Sequence, residues 1–203
     1  MYPNSKEMVK RIIDIMGSII GLILISPLIP LIALVIKLDS DGPTFVKLER
    51  VSMGKIFKLY KFRTMVKNAH DLKPFLQHLN ERKDGPFFKI KNDPRITKIG
   101  KWLRRFRIDE FPQLLNVLKG EMSLVGPRPY APEEVSAYPE NFKHLIMTKA
   151  GITGLSQING SSELSFQKTL ELDNYYLNNQ SFFLDFKIIT KTLLIIFFDP
   201  TAV

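Results

Sequence analysis

The 203-residue chain has no cysteine. Disulfide frameworks, thiol nucleophiles and thiolate metal sites are therefore excluded. Histidine is scarce, and His70, His78 and His144 are scattered without ligand spacing. There is no Gly-rich phosphate loop ending in Lys-Ser/Thr, no dinucleotide fingerprint and no Gly-x-Ser-x-Gly elbow. Acidic residues are in deficit: 29 Lys and Arg face 20 Asp and Glu, for a net charge of +9. Such a balance favours anionic partners: an anionic lipid surface, phosphorylated small molecules or nucleic acid. Nucleic acid fits least, because the aromatics belong to apolar faces and form no stacking platform.

One stretch lacks charge altogether. Ile15 to Ile36 contains no Asp, Glu, Lys or Arg. At ~1.5 Å per residue a helix there covers roughly 33 Å, about one bilayer core. A signal peptide would have a shorter apolar region and a small-residue cleavage site, and neither is present. Ser26, Pro27 and Pro30 interrupt the run, and each proline removes a backbone hydrogen bond. Lys6, Lys10 and Arg11 precede it, and Lys37 and Lys47 follow. Basic flanks on both sides prefer the cytoplasm. A segment that enters, breaks at Ser26-Pro27 and leaves by the same face satisfies both features, and a kinked spanning helix remains the rival. The chain divides accordingly into a membrane-associated segment, 1–38, and a catalytic domain, 39–203.

Beyond Gly42-Pro43 the expected fold is α+β and mostly helical, with a small β-hairpin and amphipathic interfacial helices. Thr44–Arg50 and Lys55–Phe62 read as the hairpin. Lys61 and Arg63 stand two apart, which puts them on one strand face. Asn68–Arg82 reads as a polar helix. Ile96–Phe106 is an amphipathic helix, with Ile99, Trp102, Leu103 and Phe106 at helical spacing. Residues 89–107 carry eight Lys or Arg against one Asp. Beside an apolar segment, such a basic helix with Trp belongs in a lipid headgroup region. Pro112 and Gly120 bracket a short helix. Ser123–Pro129 and Gly151–Gly160 read as loops. Tyr138–Lys149, Phe166–Asn178 and Asp185–Phe198 read as helices, the last one interfacial or core.

Asp109 and Glu110 are the strongest catalytic candidates. They lie at a helix start, where the positive dipole end favours ionised carboxylates. Arg104, Arg105 and Arg107 are near in sequence and depress both pKa values. An ionised carboxylate serves as nucleophile or metal ligand. The residues alone also permit a plain helix-capping role. Gly126-Pro127-Arg128-Pro129 follows. Two prolines fix the backbone around Arg128 and present its guanidinium rigidly, as bidentate phosphate recognition requires. A structural loop with a surface Arg explains the motif equally well.

At these residues the chain resembles the bacterial sugar transferases, the monotopic phosphoglycosyl transferases. The motifs are Lys10-Arg-Ile-Ile-Asp14 before the apolar segment, Tyr60-Lys-Phe-Arg-Thr-Met65 and Asn92-Asp-Pro-Arg-Ile-Thr-Lys-Ile-Gly100. They continue with Asp109-Glu-Phe-Pro-Gln-Leu-Leu-Asn-Val-Leu-Lys-Gly-Glu-Met-Ser-Leu-Val-Gly-Pro-Arg-Pro129 and Gly151-Ile-Thr-Gly154. The likeness covers nearly the whole chain and suggests the family's minimal catalytic form. It implies that Asp109 attacks the sugar-bearing phosphate of a UDP-sugar and releases UMP. Polyprenyl (undecaprenyl) phosphate then attacks the phosphosugar-aspartyl intermediate, which initiates surface glycoconjugate synthesis. By the same likeness Glu110, with Asp109, holds Mg²⁺, and Lys61, Arg63, Arg104 and Arg128 bind phosphates. The implied partners are UDP-sugar, polyprenyl phosphate, anionic inner-membrane lipids and downstream glycosyltransferases. The implied location is the cytoplasmic face of the inner membrane. The pattern is broken in three places. Ala150 stands where relatives commonly have Pro, Ser156-Gln157 where many have Trp-Gln, and Gly160-Ser161 where many have Gly-Arg. The lost Arg removes a contact to nucleotide or sugar. The alternative is an impaired relative acting as a membrane-tethered binding or assembly partner.

Overall fold

A computed structural model describes residues 5–198. The chain opens with α1 (Ser5–Ile25), a 3-10 turn over Ser26–Leu28, and α2 (Ile29–Asp39). The break is thus one tight turn at Ser26-Pro27, and helical backbone resumes at once. Ser26 Oγ donates to the carbonyl of Ile23 there, at 2.9 Å. Taken together, Ser5–Asp39 is the one helix among the described residues long and apolar enough, by length and composition, to cross a membrane. Most of it is exposed, with Ile12, Met16, Ile20, Ile23 and Leu24 all facing outward.

The hairpin follows as β1 (Phe45–Ser52) and β2 (Lys55–Phe62), paired antiparallel from Phe45↔Phe62 to Ser52↔Lys55. Its loop is only Met53-Gly54, and both residues have positive φ. That is the mirror-image turn whose twist matches the strands, so β1 runs two residues further than the pattern suggests. Along β2, Phe57 and Leu59 point into a core with Val117 and Met122. Lys61 continues that face by alternation.

Asn68–Arg82 is not an α-helix. Turns precede a 3-10 helix over Pro74–Leu79. Pro74 has no N–H to donate, and Asn68 adopts φ +61°, so a regular helix cannot propagate. Then come α3 (Lys98–Arg105), a 3-10 turn over Ile108–Gln113, and α4 (Leu114–Lys119). Thr97 caps α3 by accepting from the amide of Gly100.

The two segments read as loops contain a small parallel sheet. β3 (Ser123–Val125) pairs with a later strand, with Ser123↔Gly151 and Val125↔Thr153 in register. Between the two lie α5 (Pro132–Val135) and a 3-10 helix over Glu140–Met147, where Tyr138–Lys149 was expected to be helical. The partner strand, β4 (Gly151–Thr153), leads into α6 (Leu155–Ile158). Three-residue strands carry too little alternation to be read locally. Gly126 and Gly151 allow the crossing: a Cβ on Gly151 would stand 2.1 Å from the amide nitrogen of Gly126.

After a 3-10 turn at Ser161–Glu163, α7 (Phe166–Asn178) has the expected bounds. α8 (Phe182–Phe198) starts three residues early, because Ser181 Oγ accepts from the amide of Leu184. Ile188 is buried, whereas Phe182, Phe183, Phe186, Leu193 and Leu194 are exposed.

Both ends of the apolar segment are fastened to this body. In α1, Arg11 donates to the carbonyls of Val117 and Leu118, at 2.6 and 2.7 Å. These carbonyls lie in the last turn of α4, where a cation meets the negative dipole end. Asp14 is buried and accepts from Ser123 Oγ and the Leu124 amide, at 2.9 and 2.8 Å. At the other end, Asp39 Oδ2 accepts from the Ile99 amide at the start of α3.

Candidate active site

Strand β2 lies against the 3-10 turn Ile108–Gln113, and that contact builds the site. Arg107 enters the turn in the left-handed region, φ +52°. It swings the chain so that Asp109 and Glu110 both reach the strand. Lys61 Nζ bridges them, 3.2 Å from Asp109 Oδ2 and 2.8 Å from Glu110 Oε1. Asp109 is only 4% exposed, whereas a quarter of the Glu110 side chain is open. The strand is itself clamped by Asn116 of α4. Its Oδ1 accepts from the Tyr60 amide, and its Nδ2 donates to the Lys58 carbonyl and to Glu121.

The two carboxyls are not equivalent. Burial pushes the Asp109 pKa up, and neither Lys61 nor Arg104 fully offsets it. Burial also opposes ionisation of Glu110, but Lys61, Arg107 and Arg128 outweigh it, and its pKa falls. The expectation that both values are depressed therefore holds for Glu110 alone. Charge proximity is legible in the chain, but the desolvation of Asp109 comes from packing. Lys61 loses charge stability through burial and regains more from Asp109 and Glu110, so its pKa is raised.

Of the four predicted phosphate ligands, three surround this pair. Lys61 touches both carboxylates. Arg104 donates from Nε to Thr64 Oγ1 at 2.9 Å, and its charge acts on Asp109 and Glu110. Arg128 acts on Glu110 and sits 5.9 Å from the Phe87 ring centroid. Arg63 stands apart. β2 ends at Phe62, and the Arg63 guanidinium turns to the carbonyls of Ile36, Ser40 and Asp41. It closes the end of α2 and is buried there, so alternation beyond the last strand residue misplaces it.

Asp109 and Glu110 suit a divalent cation of the kind that completes its shell with phosphate oxygens. Such Mg²⁺ ions take one or two carboxylates rather than an all-protein cage. Among the described residues no cluster of three or more His, Cys, Asp or Glu could hold a metal. Lys61 already supplies the shared positive charge that two adjacent carboxylates require.

One buried carboxyl behind the site escaped the sequence reading. Asp173 of α7 is fully buried and receives Tyr130 Oη at 2.9 Å and Ser156 Oγ at 2.7 Å. The backbone N–H of Arg128 also donates to it. It thereby anchors the Pro127–Pro129 loop from behind. The only local sign was an acid on the apolar side of α7, between Leu170 and Tyr176, both buried.

Comparison with known proteins shows the family. A sequence profile of the bacterial sugar transferases matches residues 5–199. The chain is similar to galactosyl transferase CpsE of Streptococcus agalactiae serotype III (strain NEM316). Identity is 43% over 204 residues, covering 99% of this chain and 45% of that protein. It is 41% identical over 197 residues to undecaprenyl-phosphate galactose phosphotransferase of Salmonella typhimurium, covering 93% and 40%. It is 40% identical over 185 residues to the uncharacterized sugar transferase EpsL of Bacillus subtilis, covering 91% and 85%. The chain thus spans less than half the length of the first two relatives and most of the third. With a match over nearly its whole length, the chain belongs to the bacterial sugar transferase family.

Proposed function

We propose that the chain transfers a sugar-1-phosphate from a UDP-sugar to polyprenyl phosphate at the cytoplasmic face of the bacterial inner membrane. One observation carries this reading: Asp109 and Glu110 share the Lys61 ammonium, with Arg104 and Arg128 in electrostatic reach. An Asp109 oxygen attacks the phosphorus that bears the sugar. The bond from that phosphorus to the UMP oxygen breaks, and UMP leaves with the electron pair. A lipid phosphate oxygen then attacks the phosphosugar-aspartyl ester, and the Asp109 carboxylate is released unchanged. Lys61 orients Asp109 and keeps it available as the anion. Arg104 and Arg128 neutralise charge that grows on the phosphoryl oxygens. Mg²⁺ held by Glu110 and Asp109 would add Lewis-acid stabilisation to the same oxygens.

The apolar surfaces support the location. α1 and α2 expose a long aliphatic face, α8 exposes Phe182, Phe183 and Phe186, and α3 exposes Trp102. Arg11 near the start of the apolar segment and Asp39 at its end both bind the same body. That supports a segment entering and leaving by one face, with the break at Ser26-Pro27. The test combines purified protein, polyprenyl phosphate and a panel of UDP-sugars, and measures UMP release. Lipid-dependent release with at least one donor is expected. Its absence with every donor refutes the transfer reading. Incubation without lipid followed by intact-mass measurement is expected to show a phosphosugar adduct on wild type and none on Asp109→Asn.

A further inference from the structure

Thr64 follows Lys61 by three residues and is buried, 6% exposed. β2 has ended by then, so the Thr64 backbone bonds elsewhere. Segment 92–100 takes it up. Asp93 and Arg95 are both buried and form a bidentate pair, with Nε 2.9 Å from Oδ1 and Nη2 2.6 Å from Oδ2. The Arg95 carbonyl accepts from the Val66 amide, and Ile96 forms a bridge with Met65. The Thr64 carbonyl accepts from the Thr97 amide at 3.1 Å. Thr97 is also the cap of α3, so the helix springs directly from Thr64.

The same residue is met twice more, one helical turn apart. Gly100 lays its backbone on the Thr64 carbonyl, and a Cβ there would stand 2.0 Å from that oxygen. Arg104 lies four residues on, on the same face of α3. Its Nε donates to Thr64 Oγ1 at 2.9 Å. One threonine thus holds the start of α3 through its carbonyl and the Arg104 guanidinium through its hydroxyl.

A bond at Nε fixes the plane of a guanidinium and leaves the outer fork, Nη1 and Nη2, unspent. Neither Nη of Arg104 makes a hydrogen bond among the described residues. The charges of Asp109 and Glu110 act on Arg104, yet the ion-pair contacts of both carboxylates go to Lys61. The fork is therefore held beside the carboxylate pair without being consumed by it. We propose that Thr64 is a positioning residue, whose hydroxyl sets the Arg104 fork toward the phosphoryl group that Asp109 attacks. This rests on the transfer reading above. Thr64 acts through Arg104 and touches neither donor nor lipid.

The test follows UMP release by the full chain in lipid nanodiscs, with polyprenyl phosphate and the UDP-sugar that wild type turns over fastest. Thr64→Val keeps the shape and removes the acceptor, so kcat and kcat/KM are expected to fall together by about tenfold. Thr64→Ser restores the hydroxyl and is expected to stay within about threefold of wild type. Arg104→Met is expected to lose on the order of 100-fold. Adding Thr64→Val to Arg104→Met is expected to cost less than about twofold more, because the shared bond is already gone. Thr64→Ala replaces Thr64→Val throughout if the latter does not fold, and the same order is required of it. A Thr64→Ser variant as slow as Thr64→Val would make the methyl the working group and overturn the proposal. So would an undiminished loss from Thr64→Val in the Arg104→Met background, since Thr64 would then act by another route. A wild type inactive with every UDP-sugar refutes the transfer reading itself. Crystal structures then decide the positioning alone: an Arg104 guanidinium that keeps its wild-type place in Thr64→Val overturns it.

Discussion

Asp109 and Asp173 are both buried carboxyls, and burial raises the pKa of each. They differ in what opposes burial. Asp109 is met by the Lys61 ammonium and the Arg104 charge. Asp173 is met by the Ser156 and Tyr130 hydroxyls, the charge of Arg128 and its backbone N–H. An ammonium on a flexible stem can yield its place to another cation or swing toward a phosphate. Hydroxyls and an amide fixed in the framework cannot move without moving the loop. The first environment keeps a carboxylate available for chemistry, and the second uses a carboxylate to hold something else still.

The largest effect expected from this contrast belongs to Asp109→Asn. It keeps the shape and removes the attacking charge, so UMP release is expected to fall by on the order of 10³-fold or more, with the fold retained by circular dichroism. Lys61→Met sharpens the comparison by leaving two carboxylates without their shared cation. A stability loss of about 3–5 kcal/mol is expected in denaturant melts. The sign of the accompanying pH effect is fixed: Lys61 lowers the Asp109 pKa, so its removal raises that value further. Wherever residual turnover is measurable, its acid limb moves to higher pH. Glu110→Gln is expected to cost less, on the order of 100-fold in turnover, and to flatten the Mg²⁺ dependence.

Asp173→Asn probes the other environment and is expected to destabilise by about 1–3 kcal/mol. The Asp173 pKa rises from 3.8 to about 6 in the folded chain. The folded state thus holds this proton more tightly than the unfolded one. The stability contributed this way is present below the unfolded value and is lost as pH rises through about 6. Wild type is therefore expected to exceed Asp173→Asn by more at pH ~5 than at pH ~7 in thermal melts. A gap that widens with pH would mean that Asp173 is better held as the anion.

These two sites were not equally legible in the sequence. The hairpin could be read because Phe57 and Leu59 alternate, and the same alternation aims Lys61 at the turn that carries Asp109. α7 could be read from its helical spacing down to its terminal residues. Arg63 misled, because strand periodicity means nothing one residue past the strand end. β3 and β4 were invisible, since three residues pair only because Gly126 and Gly151 let two backbones touch. The rise in the Asp109 pKa was invisible for a deeper reason. Neighbouring arginines can be counted along the chain, whereas desolvation depends on residues that meet only after folding. Asp173 shares that fate, for its two hydroxyl donors lie 43 and 17 residues away.

Asp14 gives the apolar segment a status that hydrophobicity alone would not. A stretch whose sole duty is to sit in lipid is an interchangeable part, and any sequence of equal length and greasiness serves. Replacing α1 with such a stretch would leave the Leu124 amide without its acceptor and the Val117 and Leu118 carbonyls without Arg11. The damage would land on the strand that leads into Pro127-Arg128-Pro129 and on the helix whose Asn116 clamps β2. Chimeras with borrowed anchors are therefore not modular swaps. The graft has to carry Arg11 and Asp14 in their original helical phase, or the catalytic body loses its footing.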